Sequence, residues 1–189
     1  SVIGTSITAD YIIPPEPAWI SSVPNSASGV VRRDYNQGYF ADDTTWFDSH
    51  SPTATTNPDA IDIGTELDDL NIDNYSIQWT GYFVPTHSGT YLFKTYSDDA
   101  SYFWIGLPAS VGYTTSNAIV NNGGAHGPNP IISTPVQLTA SRCYPIRAQY
   151  GENTGGAEMK VEFTTDDGNT WTVINNMVYD NTTADGFVT

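Results

Sequence analysis

The chain has 189 residues, of which 39% are hydrophobic and 13% aromatic, enough apolar surface for the core of one large all-β domain. Its 21 acidic against 6 basic residues give a formal charge of -15, a field that repels nucleic acid and anionic membrane surfaces and attracts divalent cations. Plain solubility in salty surroundings is the alternative meaning of that charge, and Cys143, the single cysteine, excludes an intramolecular disulfide.

Residues 1 to 30 are rich in Ser, Pro and small residues around Tyr11-Ile-Ile-Pro-Pro-Glu-Pro17. They read as an extended arm packed on a body, docked through Ile12, Ile13, Trp19 and Ile20. The chain opens on Ser1, with no signal peptide and no apolar stretch long enough for a bilayer, which reads as a module within a longer soluble or surface-displayed protein. Aromatics and acids alternate in short runs from 31 to 50, a pattern of β or irregular structure rather than helix. A Ser/Thr/Pro segment follows, then Asp59, Asp62, Glu66, Asp68, Asp69 and Asp73 interleaved with Ile61, Ile63, Leu67 and Leu70. A helical turn near 65 to 70 is expected there, its acids forming either a solvated face or a secondary Ca²⁺ site.

The strand signal strengthens at Tyr75–Val84, which places Ile77, Trp79, Gly81 and Phe83 on one face. Pro85-Thr-His-Ser-Gly89 turns the chain into Thr90–Tyr96, and Tyr102–Ile105 reads as the next strand. Between these two lie adjacent carboxylates, Asp98 and Asp99. Successive side chains of a strand point to opposite faces, so for both to act on one object a turn or an unusual peptide bond must separate them. A hard cation such as Ca²⁺ gathers six to eight oxygen ligands in irregular geometry and suits such a pair; a solvated turn is the alternative.

Beyond Gly106 a long connection carries Tyr113 towards Val120, and Asn121-Asn-Gly-Gly-Ala-His-Gly-Pro128 is a glycine-rich loop holding His126. Val136–Thr139 and Tyr144–Tyr150 read as strands, with Cys143 a buried, inert thiol beside the latter. Met159–Phe163 and Trp171–Ile174 form a hairpin through Asp166-Asp-Gly168. Asn74-Tyr-Ser and Asn181-Thr-Thr match the common glycosylation acceptor pattern.

Five pieces follow one another in a set order: Gln78-Trp-Thr-Gly-Tyr-Phe-Val-Pro85, Ser88-Gly-Thr-Tyr-Leu-Phe93, Ser97-Asp-Asp-Ala-Ser-Tyr-Phe-Trp-Ile-Gly106, Tyr144-Pro-Ile-Arg147 and Tyr150-Gly-Glu-Asn-Thr-Gly-Gly156. In that order and spacing they resemble the PA14/GLEYA-type lectin domains of yeast flocculins, epithelial adhesins and large bacterial RTX-type surface adhesins, over about residues 75 to 175. The resemblance implies an all-β, PA14-like β-sandwich of antiparallel strands with long calcium-binding loops, here a single domain over residues 1–189. It also implies that Asp98 and Asp99 are joined by a cis peptide and hold one Ca²⁺, whose remaining positions take vicinal sugar hydroxyls. The family's second calcium loop falls on residues 151 to 156. A yeast-like register puts Glu152 where the family has Asn, while Asn153 is the chemical match one step later, and the choice between them stays open. Thr154 and Gly156 would donate carbonyls, and Gln149 is a further candidate ligand. That loop sets sugar specificity in the family, so Asn153 and Thr154 join Asp98 and Asp99 as ligand contacts. The lack of disulfides points to the bacterial members.

His50, His87 and His126 stand apart, and no nucleophile elbow, zinc motif or phosphate loop is present, so no enzyme activity is expected. His126 and the loop aromatic Tyr113 are expected to border the sugar, with Trp104 in the core. The reading is a Ca²⁺-dependent carbohydrate-binding module of an extracellular, cell-surface adhesin, monomeric, engaging neutral glycans or monosaccharides, with no nucleic-acid partner and no membrane insertion. Two alternatives stand beside it: a calcium-rigidified spacer domain, and an accessory domain of a glycoside hydrolase. Adjacent carboxylates on one cation are themselves unsuited to flanking a scissile bond.

Overall fold

Period-two alternation of apolar and polar residues places the strands, and the computed structural model describes residues 13–22, 30–64, 66–70, 72–175 and 186–188. In chain order the strands are β1 (Val31–Tyr35), β2 (Ala54–Thr56), β3 (Tyr75–Val84), β4 (Gly89–Asp98), β5 (Ala100–Ile105) and β6 (Val120–Asn122). Then come β7 (Asn129–Ile132), β8 (Val136–Leu138), β9 (Tyr144–Glu152), β10 (Glu158–Thr164), β11 (Thr172–Val173) and β12 (Gly186–Val188). Two short helices, α1 (Glu66–Leu70) and α2 (Leu107–Ser110), and a 3₁₀ turn at Trp46–Ser49 complete the described elements. The helical turn expected near 65 to 70 is thus α1. Residues 31 to 50, read as β or irregular, contain β1 and the 3₁₀ turn.

The strands form two antiparallel sheets, one ordered β2-β1-β3-β9-β5-β6 with β12 beside β3, the other β11-β10-β4-β7 with β8 beside β4. Ile77, Trp79 and Phe83 of β3 meet Phe93 of β4, Phe103 of β5 and Phe163 of β10 in the layer between them. Phe83 packs edge-on against Tyr91, Phe93 and Phe163, with ring centroids 5.8, 5.4 and 5.3 Å away. A second apolar cluster covers the outer face of the first sheet. There Tyr102 and Trp104 meet Tyr35, Phe40 and Phe47, because the segment after β1 folds back across β5 and β9. β5 is therefore buried on both faces, which explains its unbroken apolar run.

Arg32 lies 7% exposed and donates to Asp34 at 2.7 Å and to both oxygens of Glu66 at 2.7 and 2.8 Å, which ties α1 to β1. Part of the arm docks: Ile20 exchanges backbone hydrogen bonds with Cys143, and the Arg142 guanidinium lies 4.0 Å from the Trp19 ring centre while also bonding Glu16. Ile13 does not dock, at 66% exposed. Ile12 and Asn181 lie outside the described residues. Cys143 is buried, as expected of it.

Candidate metal and ligand site

β4 belongs to one sheet and β5 to the other, so the chain changes sheets at Asp98 and Asp99. The peptide bond between them is cis. β9 ends at Glu152 beside the start of β5, with Gly151 opposite Ala100. The change of sheet and the end of β9 beside β5 bring Asp98, Asp99 and Glu152 to one end of the sandwich, where one carboxylate oxygen from each lies within 4.8 Å of the others.

Neighbours position the carboxylates of Asp99 and Glu152 and the backbone of Asp98. Asp99 accepts the His126 backbone N–H on Oδ1 at 2.7 Å and the Asn153 backbone N–H on Oδ2 at 2.8 Å, so two loops grip one side chain. The Tyr150 hydroxyl faces the Asp98 carbonyl at 2.6 Å and Glu152 Oε2 at 3.1 Å. Glu152 is 0% exposed, and its Oε1 is buried with no hydrogen-bond partner. An orphaned buried carboxylate oxygen is costly unless a cation or a proton meets it. Burial, reinforced by the charges of Asp99, Asp98 and Asp73, pushes the Glu152 carboxyl up to about 8 against the lowering effect of the Tyr150 hydroxyl. In the absence of a cation Glu152 is therefore largely protonated at neutral pH.

A polar network closes the sandwich under this corner. Ser97 and Ser101 hydroxyls lie 2.7 Å apart, and the Asn122 amide donates to Ser97 Oγ at 3.0 Å and to the Asn129 carbonyl at 2.9 Å. The glycine-rich loop is then seated from above. Asp42 Oδ1 accepts Tyr102 Oη–H at 2.8 Å and the Gly124 N–H at 3.0 Å. Gly123 passes so close to Tyr102 that an added Cβ would meet the hydroxyl at 1.9 Å. The 152–156 turn is fastened from the other side, where Asp73 accepts the Gly155 N–H at 3.0 Å and the Asn74 N–H donates to the Asn153 carbonyl at 3.1 Å.

Of the residues the sequence singled out, Asp98, Asp99 and Glu152 come together, and Asn153 and His126 reach Asp99 through backbone N–H groups. Gly156 lies against the cluster, since a Cβ there would sit 3.2 Å from Asp98 Oδ2, and Thr154 is exposed in the same turn. Gln149 does not join them. Strand alternation turns it to the opposite face of β9, where its amide donates to the Thr44 carbonyl and to Gln78 Oε1, both at 2.9 Å. Tyr113 is likewise elsewhere: its ring lies 3.9 Å from the Arg147 guanidinium and its hydroxyl donates to Asp48. Arg147 precedes Glu152 by five positions on β9, about 17 Å along a strand. Trp104 is in the core, as expected.

Sequence reading missed Tyr150, Asp42 and Tyr39, and it named Asp73 only among the acids of a solvated face or secondary Ca²⁺ site, whereas its carboxylate fastens the 152–156 turn. Tyr150 was within reach, two residues before Glu152 on the same strand face. Burial pushes the Tyr39 hydroxyl up to about 12, with Asp42, Asp99 and Glu152 adding in the same direction, so its half-buried ring stands within electrostatic reach of the cluster.

Two sheets of this order, linked at an aspartate pair, define the class: an all-β sandwich of the PA14 type. Residues 75–165, which run from β3 through β10 and contain all three carboxylates, match the GLEYA domain family. The crystal structure of the PA14 domain of the MpAFP antifreeze protein superposes with a TM-score of 0.62 at 20% identity, covering 82% of this chain and 92% of that one. A PA14 sugar-binding domain from an RTX adhesin gives 0.60 at 15% identity over 80% and 97% of the two chains. The Epithelial Adhesin 6 A domain from Candida glabrata, solved in complex with Galb1-3GlcNAc, gives 0.65 at 14% identity over 85% and 90%. These likenesses establish the fold. A curated relative, the anti-sigma-I factor RsgI3 of Acetivibrio thermocellus, is 26% identical over 98 residues, 52% of this chain but 14% of that protein's length.

Proposed function

We propose that this chain is a Ca²⁺-dependent carbohydrate-binding module, a single domain of a cell-surface adhesin, that binds vicinal hydroxyls of neutral glycans and catalyses no reaction. The observation that carries the reading is the donor set itself: three convergent carboxylates, one of them with a buried oxygen lacking any hydrogen-bond partner. An all-oxygen set suits a hard cation such as Ca²⁺, and no thiol or imidazole nitrogen belongs to it. Asp98, Asp99 and Glu152 would hold the ion, with Gly156 and Thr154 offering carbonyls. When bound, such an ion polarises and fixes two neighbouring sugar hydroxyls.

The chain's own residues do the rest. His126 and Asn153 hold Asp99 through their N–H groups, Tyr150 orients Glu152, and Asp73 fixes the 152–156 turn against which a sugar would rest. The structural relatives described as sugar-binding or solved with a galactoside support the same reading. No helix among the described residues is long and apolar enough to cross a membrane. A shallow site gives weak monosaccharide affinity, strengthened by several copies on one surface.

Asp98→Ala should abolish calcium-dependent binding on a glycan array while the melting transition in EDTA shifts by no more than a few degrees. Binding retained by that variant would sink the metal-bridge reading. The deep burial of the three carboxylates, 8%, 4% and 0% exposed, favours one second reading, a calcium-rigidified spacer. That reading predicts calcium-dependent melting with no glycan retained on the array.

A further inference from the structure

A second concavity of about 470 Å³ opens on the outer face of the first sheet, a volume in the range of small-ligand pockets. Arg33 of β1, Thr80 of β3 and Arg147 of β9 line it, together with Asp48 and Ser110. It lies at the Arg147 end of β9, away from the carboxylate cluster.

The charges here are unlike those elsewhere on the molecule. The chain has six cationic residues. Arg32, Lys94 and Arg142 form ion pairs with carboxylates, and Lys160 rests over the Tyr96 ring. Arg33, Arg147 and Lys160 have no ion pair among the described residues, and the two arginines both line this pocket. Neutral partners hold them in place. Arg147 Nε donates to the Ala109 carbonyl at 2.8 Å and its Nη1 to Gln78 Oε1 at 2.5 Å, while Tyr113 stacks at 3.9 Å. Arg33 Nη1 donates to Thr80 Oγ1 at 2.9 Å. A guanidinium has five N–H donors, so each keeps at least three for a ligand, in the planar fork that fits a carboxylate. Burial lowers the Arg147 pKa, with the charge of Arg33 adding to it, against the raising effect of Tyr113 and Asp48.

Asp48 sets the charge of the guest. One of its oxygens accepts the Tyr113 hydroxyl, and its negative charge leaves two guanidinium groups against one carboxylate. That balance suits a monoanion better than a phosphate dianion, and the second Asp48 oxygen and the Thr80 hydroxyl suit a guest that also carries hydroxyls. We propose that this pocket binds a hydroxylated monocarboxylate, the chemistry of a uronic acid residue, with its carboxylate between Arg33 and Arg147 and a hydroxyl on Asp48.

The test titrates glucuronate, glucose and inorganic phosphate into the ¹⁵N-labelled protein at constant ionic strength and in EDTA, so that the outcome is independent of calcium at the carboxylate cluster. Glucuronate should shift the amide resonances of Gly81, Ser110 and Arg147 and bind about tenfold or more tighter than glucose or phosphate, the scale of one charged hydrogen-bonded pair. Arg33→Gln, which leaves the Arg147 stack intact, should weaken glucuronate by a similar factor, and Asp48→Asn should narrow the margin over phosphate. Glucuronate no tighter than glucose, phosphate tighter than glucuronate, or affinity unchanged in Arg33→Gln would each overturn the proposal.

Discussion

Glu152 is the residue on which the chemistry of the carboxylate cluster turns. A third carboxylate beside Asp98 and Asp99 raises the negative charge offered to a cation and, in its absence, leaves three acids repelling one another. Its two effects have opposite signs in one variant. Glu152→Gln should weaken Ca²⁺ binding about tenfold or more by calorimetry, yet leave the melting point in EDTA at pH 8.5 unchanged or higher. A fall in both would make Glu152 a packing residue. The pH dependence follows from the same group. Its folded-state pKa is raised from 4.5 to about 8, so its contribution to the stability of the cation-free protein is fully present below pH 4.5 and is lost as pH rises through 8. Melting in EDTA, compared between wild type and Glu152→Gln, should show the wild type losing ground progressively over that window. Parallel curves would contradict it. The sequence left Glu152 and Asn153 open because the register favoured one and ligand chemistry the other, at adjacent positions where β9 ends. Strand alternation in β9 carries the Glu152 side chain into the cluster, whereas Asn153 reaches Asp99 with its backbone.

At the level of elements, the strands were legible and the loop fastenings were not. Tyr75–Val84 and the break at Asp98 and Asp99 announced themselves by alternation, a purely local signal. Asp42 reaches Gly124 across 82 residues and Asp73 reaches Gly155 across 82, separations at which no local pattern in the sequence operates. Tyr113 was misplaced for the same reason: α2 and the chain after it run back over the outer face of β9 rather than towards the aspartate pair. These fastenings predict measurable coupling. Gly123→Ala should destabilise the fold by about 1–3 kcal/mol in urea, because a methyl group there meets the Tyr102 hydroxyl. It should also weaken calcium affinity, since the displaced loop carries the His126 N–H that holds Asp99. Asp73→Ala should slacken only the 152–156 turn, altering sugar preference on an array more than it alters melting.

Across the whole molecule, a charge of -15 on 189 residues sits on a sandwich whose corner gathers three of its acids in a buried cluster. A cation that binds only the folded state stabilises it by about 2.7 kcal/mol at a concentration one hundred times its dissociation constant. Millimolar CaCl₂ should therefore raise the melting temperature by several degrees over EDTA, an effect that equal ionic strength from NaCl should not reproduce. Composition foretold the all-β class but not the cationic pocket, since Arg33 and Arg147 are far apart in sequence and meet only across β1, β3 and β9. The most direct test of the central claim is calorimetric titration of glucose, fucose, mannose, galactose and N-acetylglucosamine into the protein, once in CaCl₂ and once in EDTA. Heat of binding for at least one sugar in calcium, absent in EDTA, is the predicted result. Equal heats in both buffers, or none in either, would contradict a calcium-bridged lectin.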